Sequence, residues 1–449
     1  MLKYYLDKTG KVIKSILFPS SEFVDTEPRE GSMNPLASGA VANVMPQDAS
    51  KDNPLMTAED TERMIDVMKP IDAMTLRFEF SKKDYSPVVA GVGSAGTWAK
   101  VDSPTLNIWD WKNTNTDWHE SFKGAFPDAD NEVRVIAAGD TSTVTDISYM
   151  FSGDLSSFAY KSAYVLTQRN NVISCVPFDV SSCVNFEGVF EGSTLKEVVP
   201  FKYNPSLTYS GAEIFSVIFA DTYIEEAIDL DFYGVVSNSS GLFARCTKLK
   251  QASLKGLYNF GSVNNAFWGN NTEYPPLENF ELTGGLNSSN LNLFFQNCRK
   301  LKKISGLNNI RSNVSCQGVV MQCFVLEELE FSVGSCTNAD YLFSNCRKLK
   351  HLPTIDTSNT ASFVMMMNNC REVETIPDYD VSSATNVKLM CQNMYKARYG
   401  ILELYNKLLA RGAAITDHTD CFRNCGRDTP QGRLALAQIP QSWGGLAEG

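Results

Sequence analysis

Histidine, charge and long apolar runs are all scarce in this sequence. The three histidines, His119, His351 and His418, lie far apart, and no nucleophile elbow, P-loop or His-Glu-x-x-His motif occurs. Charged residues make up 20% of the chain and the formal net charge is −11, which argues against a nucleic-acid binder. No stretch approaches the roughly 18 apolar residues of a membrane-spanning helix. The sequence therefore predicts no enzyme, cofactor, metal, nucleic-acid partner or membrane insertion.

A secretory signal is also absent from the first residues, because charges and a turn interrupt Met1–Gly10. We expect a small hairpin there, between Tyr4–Leu6 and Val12–Ile13, and a short helix over Thr57–Met68 that Pro70 ends. Without a secretory signal, the 12 cysteines do not predict a disulfide framework.

The middle of the chain repeats. An apolar residue is followed after three positions by Cys and after three more by an aliphatic residue. The repeats begin at Phe243, Phe295, Val320, Phe343 and Met367, with steps of 52, 25, 23 and 24, and a degenerate copy at Phe267 divides the longest step. We call the first residue of each copy its anchor. Weaker copies have their anchors at Phe151, Phe190, Phe219, Cys391 and Phe422.

Two further features keep the same phase as the anchors. An Asp-x-Ser motif begins 11 residues before four of them, at Asp140, Asp179, Asp356 and Asp380. A strand-like Leu-x-x-Leu-x-Leu phrase follows the anchors, as in Leu326, Leu329 and Phe331. This phrase and a period of about 20–29 residues are typical of leucine-rich repeats, whose stacked units share one core.

The pattern predicts an α+β fold with four parts. They are an N-terminal anchor segment (1–70), a small β-rich domain (71–139), a leucine-rich-repeat solenoid of about ten coils (140–397) and a helical C-terminal cap (398–449). The β-rich domain is predicted from the alternation of apolar and charged residues in Leu76–Phe80. The cap is predicted from an amphipathic helical pattern over Ile401–Leu409, and Gly412 would end that helix.

The sequence pattern of the repeat resembles the bacterial surface-antigen (BspA-like) type of leucine-rich repeat. The resemblance runs over about 140–397 and is clearest at Cys346–Pro353 and Cys370–Pro377. It implies a scaffold for adhesion and binding, often extracellular, that carries no catalytic residues.

A second resemblance lies in Glu30–Val41. The segment is similar to one that recurs near the N-termini of bacteriophage fibre and appendage proteins, and the matching residues are Gly31, Ser32, Asn34, Pro35 and Val41. The resemblance implies a fibre on the virion surface, a homotrimer, made in the bacterial cytoplasm and released by lysis. Phages of gut bacteria, including crAss-like ones, are the implied setting.

The cysteines of the repeat are one full coil apart, whereas zinc ligands come in close pairs. We therefore favour a buried ladder of thiols over a metal or redox site. Cys421 and Cys425, with His418 nearby, are the one close pair. A metal site, a disulfide and a simple cap all stay open for them.

Basic residues recur just after these cysteines, and stacked coils would align them. The candidate binding residues are Lys248, Lys250, Arg299, Lys300, Arg347 and Lys348, with Arg371 next. This stripe would suit an acidic glycan or an acidic protein surface. The alternative is a solvated edge that keeps the coils soluble.

Tryptophans cluster at Trp98, Trp109, Trp111 and Trp118, where they would either form the core of the β-rich domain, which we favour, or stack on sugars. A glycosidase would need two carboxylates in one cleft, and no motif indicates them.

Together these features predict a structural virion appendage, a head or tail fibre. Its N-terminus would attach to a capsid or tail protein, and its solenoid would bind a host glycan or protein. The alternatives are a bacterial cell-surface adhesin and a phage depolymerase. The sequence leaves head or tail attachment and the receptor open.

Overall fold

A computed structural model describes residues 2–6, 12–17, 71–82, 85–87, 96–103, 106–156, 165–201, 203–204, 206, 215–232, 237–310 and 313–447. The predicted helix over Thr57–Met68 and the anchor residues Gly31, Ser32, Asn34, Pro35 and Val41 lie outside these residues. The predicted N-terminal hairpin is confirmed, since β1 (Leu2–Leu6) pairs antiparallel with β2 (Val12–Leu17).

Most of the β-rich domain is one mixed sheet. Its strands, in spatial order, are β4 (Thr97–Lys100), β5 (Asn107–Lys112), β3 (Thr75–Phe80), β6 (Val133–Ala138) and β9 (Val172–Cys175). The central strand β3 is buried along its whole length and pairs with β5 on one edge and β6 on the other. β9 lies beyond residue 139, the predicted end of this domain, and pairs parallel with β6. The hydrophobic core is continuous from this sheet into the solenoid. β7 (Asp154–Ser156) and β8 (Val165–Gln168) form a separate short antiparallel hairpin.

Aromatic residues fill this domain, as the interpretation of the tryptophans as core predicted. The ring of Trp111 packs edge-on against Trp118 at 5.0 Å and against Phe122 at 4.6 Å. Trp111 and Trp118 are fully buried, while Trp98 and Trp109 are partly buried against the same core. Burial of such large rings supplies much of the stabilisation of a small domain.

The middle of the chain forms a β-solenoid of about four turns, built on a parallel sheet of five strands. These strands are β10 (Glu226–Asp231), β12 (Gln251–Lys255), β14 (Asn279–Thr283), β15 (Lys303–Ile310) and β17 (Glu328–Val333). Shorter parallel pairs lie alongside, β11 (Ser237–Ser240) with β13 (Phe260–Asn264) and β16 (Val314–Ser315) with β18 (Cys336–Asn338). Apart from these strands, the coils over 215–232, 237–310 and 313–400 consist of turns and extended segments, with one short 3-10 helix (Leu257–Asn259) and no α-helix.

The anchors lie on a turn-rich edge, where each backbone N–H donates to the next coil. The N–H of Phe243 donates to the carbonyl of Ala266 at 2.7 Å, and that of Phe343 donates to Met366 at 2.8 Å. The phenyl rings of successive anchors stack nearly parallel, with centroids 5.3–5.9 Å apart, along Phe122, Phe151, Phe190, Phe219, Phe243, Phe267 and Phe295. Phe122 is an anchor that the sequence analysis missed.

Each repeated cysteine is buried, and its thiol donates to the carbonyl of the anchor in the preceding coil. The distance from Sγ to that oxygen is 3.1 Å from Cys346 to Val320 and 3.1 Å from Cys370 to Phe343. Burial raises the pKa of the thiols of Cys246 and Cys370 to about 12, so both stay protonated. The expected ladder of buried thiols is confirmed, and the thiol is in addition a hydrogen-bond donor between coils.

The Asp-x-Ser motif forms a corner of the coil. The carboxylate of Asp380 accepts the backbone N–H of Ser382 at 2.7 Å, and the other copies have the same turn. In the two copies with a central threonine, that residue joins adjacent coils, since the hydroxyl of Thr357 donates to the carbonyl of Asp380 at 2.8 Å and that of Thr141 donates to the carbonyl of Asp179 at 2.7 Å. Hydrogen bonds from Ser382 lower the pKa of Asp380. The motif keeps its phase because every coil must turn at the same place.

Two helices close the C-terminal end of the described residues, α1 (Ile401–Leu409) and α2 (Pro430–Leu436). The apolar face of α1 is buried through Ile401, Leu404 and Leu408, which confirms the predicted amphipathic helix. Gly412 does not end this helix; it opens a short 3-10 turn after it. The fold is thus mostly sheet, and both α-helices of the described residues lie after residue 400.

Candidate binding surface

Lysines on the sheet side of the solenoid are paired with acids one coil away. Lys250 contacts Glu225 at 2.9 Å and Lys302 contacts Glu278 at 2.8 Å. Ion pairs between adjacent coils also join Lys303 with Glu328, Lys396 with Glu372 and Arg398 with Glu374. The hydrogen bond to Glu225 raises the pKa of Lys250, and that from Lys302 lowers the pKa of Glu278. This side carries charge of both signs, so it is not a purely cationic stripe.

The other predicted lysines are exposed beside the same pairs. Lys248, Lys300 and Lys348 all point to solvent. Lys300 lies near enough to Glu278, and Lys348 near enough to Glu372, to lower the pKa of each carboxyl together with its closer partner. The six predicted residues are thus divided, with the lysines among the ion pairs and Arg299 and Arg347 elsewhere.

Arg299 and Arg347 flank an aromatic ring from the coil between them. The guanidinium carbon of Arg347 lies 4.5 Å from the ring centre of Phe324, and that of Arg299 lies 5.5 Å from the same ring. Arg299 also contacts the ring of Tyr274 at 5.0 Å. All three of Arg299, Phe324 and Arg347 directly follow a repeated cysteine, which is why stacking the coils brings them together.

The same arrangement recurs towards the C-terminus. Tyr395 lies between Arg371, at 5.5 Å from its ring centre, and Arg427, at 4.2 Å. We call the set Arg299, Phe324, Arg347, Arg371, Tyr395 and Arg427 the guanidinium row. A guanidinium stacked on a ring keeps its N–H edge available for carboxylate or phosphate.

The arginines of the guanidinium row have few acidic partners. In the structure as described, no carboxylate contacts the side chain of Arg347, and the buried Nε of Arg371 has no hydrogen-bond acceptor. Arg299 donates to the amide oxygens of Asn271 and Asn297, and Arg427 contacts Asp428 at 3.4 Å. Most of the positive charge along the row is therefore unmatched.

A cavity of about 340 Å³ lies at the end of the row, in the C-terminal cap. Three guanidinium groups line it, those of Arg423, Arg427 and Arg433, with Asn424 and Gln441 as further polar residues. One carboxylate, Asp420, also lines it and contacts Arg423 at 3.1 Å. Because Arg427 belongs both to the cavity and to the guanidinium row, the two are contiguous, although Asp420 pairs with Arg423 and Asp428 with Arg427.

The cysteines and histidine of the cap are not arranged as a metal site. The thiols of Cys421 and Cys425 are free and buried, and the ring of His418 stacks on Trp443 at 4.1 Å. Within the described ranges, no group of three His, Cys, Asp or Glu side chains is placed to hold a metal ion. The described part of the chain also has no helix whose length and hydropathy would let it cross a bilayer.

Sequence reasoning missed Phe324, Tyr395, Arg423, Arg427 and Arg433. The first two were overlooked because only charge was compared at the position after the cysteine. A comparison of that position across consecutive coils would have shown only arginine or an aromatic residue in five of them, at Arg299, Phe324, Arg347, Arg371 and Tyr395. The cavity arginines carry no periodic signal.

Comparison with known families gives one match. Residues 289–403 are similar to the family described as "Mycoplasma protein of unknown function, DUF285", over about a quarter of the chain. The matched segment contains the regular copies with anchors from Phe295 to Cys391 and fits a BspA-like surface protein. No curated protein and no solved structure matches the chain.

Proposed function

We propose that this protein is a structural appendage of a bacteriophage particle, a head or tail fibre that holds a host or partner surface with its solenoid. The observation that carries the proposal is the stack of rigid coils with one cationic row along its edge. Repeats that contact only their neighbours form long, stiff binding surfaces. The proposal includes no catalysis.

In this proposal the solenoid has about ten coils. The support is the backbone hydrogen bonding, which runs from Ile147 with Asn185, near one end, to Val387 with Asp417, near the other. Coils spaced by about 4.8 Å would then make a rod roughly 45–50 Å long.

The N-terminal segment attaches to a capsid or tail protein in this proposal, and Gly31, Ser32, Asn34, Pro35 and Val41 take part. The support is their likeness to phage appendage proteins. The protein would be a homotrimer on the virion surface, since fibres of that kind are trimeric. The binding residues would be Arg299 and Arg347 with the flanking Lys248, Lys250, Lys300 and Lys348.

A bacterial cell-surface adhesin is the second candidate, and the match of residues 289–403 favours it. Antibodies raised against the solenoid separate the two. The fibre predicts labelling of purified phage particles, and the free full-length chain should reduce their adsorption to host cells. Labelling of phage-free bacteria, with none on particles, would refute the fibre and support the adhesin.

A further inference from the structure

The guanidinium row carries its positive charge in a fixed geometry. Phe324 and Tyr395 each contact one arginine from the coil before and one from the coil after, which restricts the positions of these guanidinium groups. Side chains that are already ordered lose less entropy when a ligand binds. Arg347, which is exposed, has no carboxylate against it among the described residues.

These arginines fall into two pairs and do not form one evenly spaced row, because Arg347 and Arg371 lie in adjacent coils. Arg299 and Arg347 belong to coils on either side of the coil that carries Phe324, and Arg371 and Arg427 flank the coil of Tyr395 in the same way. Each pair is therefore two coils apart, roughly 10 Å at the usual strand spacing. Acidic polysaccharides built on a disaccharide present one carboxylate for every two sugar rings, which is a repeat of similar length.

We propose that each of the two arginine pairs, Arg299 with Arg347 and Arg371 with Arg427, binds a stretch of a linear acidic polysaccharide whose carboxylates recur on every second sugar ring, and that the cap cavity beside Arg427 takes part. This inference rests on the proposed binding function and names its ligand. The carboxylates pair with the arginines through forked hydrogen bonds, and the sugar between them spans the coil that carries the aromatic ring. The cavity takes an acidic sugar at one end of the polymer, and its volume is at the lower end of ordinary ligand pockets, about 300–1,000 Å³.

Other polyanions fit less well. DNA carries a far denser line of charge, about one phosphate for every 1.7 Å of helix axis, which does not match arginines two coils apart. An extended acidic peptide presents side chains on one face about every 6.7 Å, which does not match two coils. The ion pairs of the sheet side, such as Lys302–Glu278, leave little net charge there for any polyanion.

Calorimetric titration of the full-length chain with a hyaluronan oligosaccharide tests the proposal, because that polymer alternates glucuronate with an uncharged sugar. A chitin oligosaccharide of equal length is the uncharged control, and poly-L-glutamate is the control for an acidic protein. We expect binding of hyaluronan alone, weakened about tenfold by Arg347→Gln. Lys302→Gln removes the same charge from a paired lysine and should change affinity by less than about twofold.

Two more variants separate preorganised recognition from plain charge. Phe324→Leu leaves every charge in place but removes the ring, and we expect binding about threefold weaker or worse. Arg347→Lys keeps the charge but not the fork, so it should not restore affinity. Circular dichroism on each variant verifies that it is folded, and Arg427→Gln gives an independent measurement if one is not.

The proposal is overturned if hyaluronan binds no better than the chitin oligosaccharide, or if Arg347→Gln and Lys302→Gln weaken binding equally. Tight binding of poly-L-glutamate that depends on Arg347 would likewise overturn it in favour of a protein partner. If the free Arg347→Gln chain reduces phage adsorption as strongly as the unchanged free chain does, the proposed binding function stands and the polysaccharide inference fails. If the unchanged chain does not block adsorption, the proposed function fails, and the titration still decides the ligand of the row.

Discussion

Replacement of Cys346 by alanine, serine and valine would test why cysteine recurs in the coils. Its side chain is fully buried, and Sγ lies 3.1 Å from the carbonyl oxygen of Val320. That oxygen also accepts the N–H of Cys323 at 3.2 Å. The thiol therefore serves both as a small apolar group and as a donor to the neighbouring coil.

The two roles predict opposite orders of stability for the serine and valine variants, since a donor role favours serine and an apolar role favours valine. Alanine loses the packed sulfur and one weak hydrogen bond, at a cost of about 1–2 kcal/mol. Serine keeps a donor and should cost about 1 kcal/mol or less. Valine has no donor and adds a methyl group between tightly spaced coils, at about 2–3 kcal/mol. Thr222 stands at the cysteine position after the anchor Phe219, and its hydroxyl donates to the Phe219 carbonyl of its own coil at 2.8 Å, so a hydroxyl at this position can still find an acceptor.

Hydrogen exchange of peptides over 339–352, with urea unfolding of the whole chain, measures these differences. Cys425 is the matched control, because it is also fully buried but its thiol donates to no acceptor in the described structure. At Cys425, substitution by valine should therefore lower the free energy of unfolding less than substitution by serine. If valine at Cys346 proves as stable as cysteine, or more stable than serine, the thiol is only an apolar filler and our explanation of the repeat is wrong.

Other predictions follow from the same coils. Phe243→Ala should cost about 3–5 kcal/mol in calorimetry, because the ring stacks between two others, and a cost below about 1 kcal/mol would contradict the ladder. Gly306→Ala should disrupt packing, since a Cβ would overlap a carbonyl of β14, whereas Gly412→Ala, which also has positive φ but open space around it, should cost only about 1–2 kcal/mol; equal losses would refute this. The hydrogen bond to Asp117 raises the pKa of His119 above 6.5, so its contribution to stability is present at acidic pH and is lost as the pH rises through the folded pKa. Imidazole titration by NMR tests this shift, and a value of 6.5 or lower would exclude it.

The interior of the solenoid was predictable because it follows from one short pattern. An apolar residue, Cys and Leu at intervals of three can share one buried side only if each coil turns in the same way. Phe243, Phe295 and Phe343 are fully buried as a result. The degenerate anchors were also found, since Phe267 keeps the phase although it has no cysteine after it.

The first anchor was missed for a physical reason. Phe122 has Ala125 in place of the cysteine, and no Asp-x-Ser motif precedes it, because strands of the β-rich domain lie on that side. A second corner was missed as well. Asp or Asn stands five residues before several anchors, and its side chain accepts the N–H two residues on, as in Asn338 with Asp340 at 2.9 Å. That residue carries no apolar signal.

The candidate surface was only partly predictable because charge alone does not give pairing. Lys250 and Lys300 belong to the same predicted stripe as Arg347, yet an acid one coil away faces the lysines and none contacts Arg347 in the described structure. A search one period upstream would have found Glu225 for Lys250 and Glu278 for Lys302. The aromatic partners were harder to find, because Phe324 follows an anchor, Val320, that is not aromatic.

The division of labour within each coil follows from these contacts. The anchor, the cysteine and the leucine face inward and touch only the coils before and after, so their substitution changes stability locally. The residue after the cysteine faces outward and meets its equivalents in the neighbouring coils. One exposed guanidinium contributes little to affinity, but in the proposed complex the two arginines of a pair act on one polymer together, and their contributions multiply. Under that proposal a protein built this way would gain binding strength by adding coils and not by forming a deep pocket, so its recognition chemistry would lie along an edge.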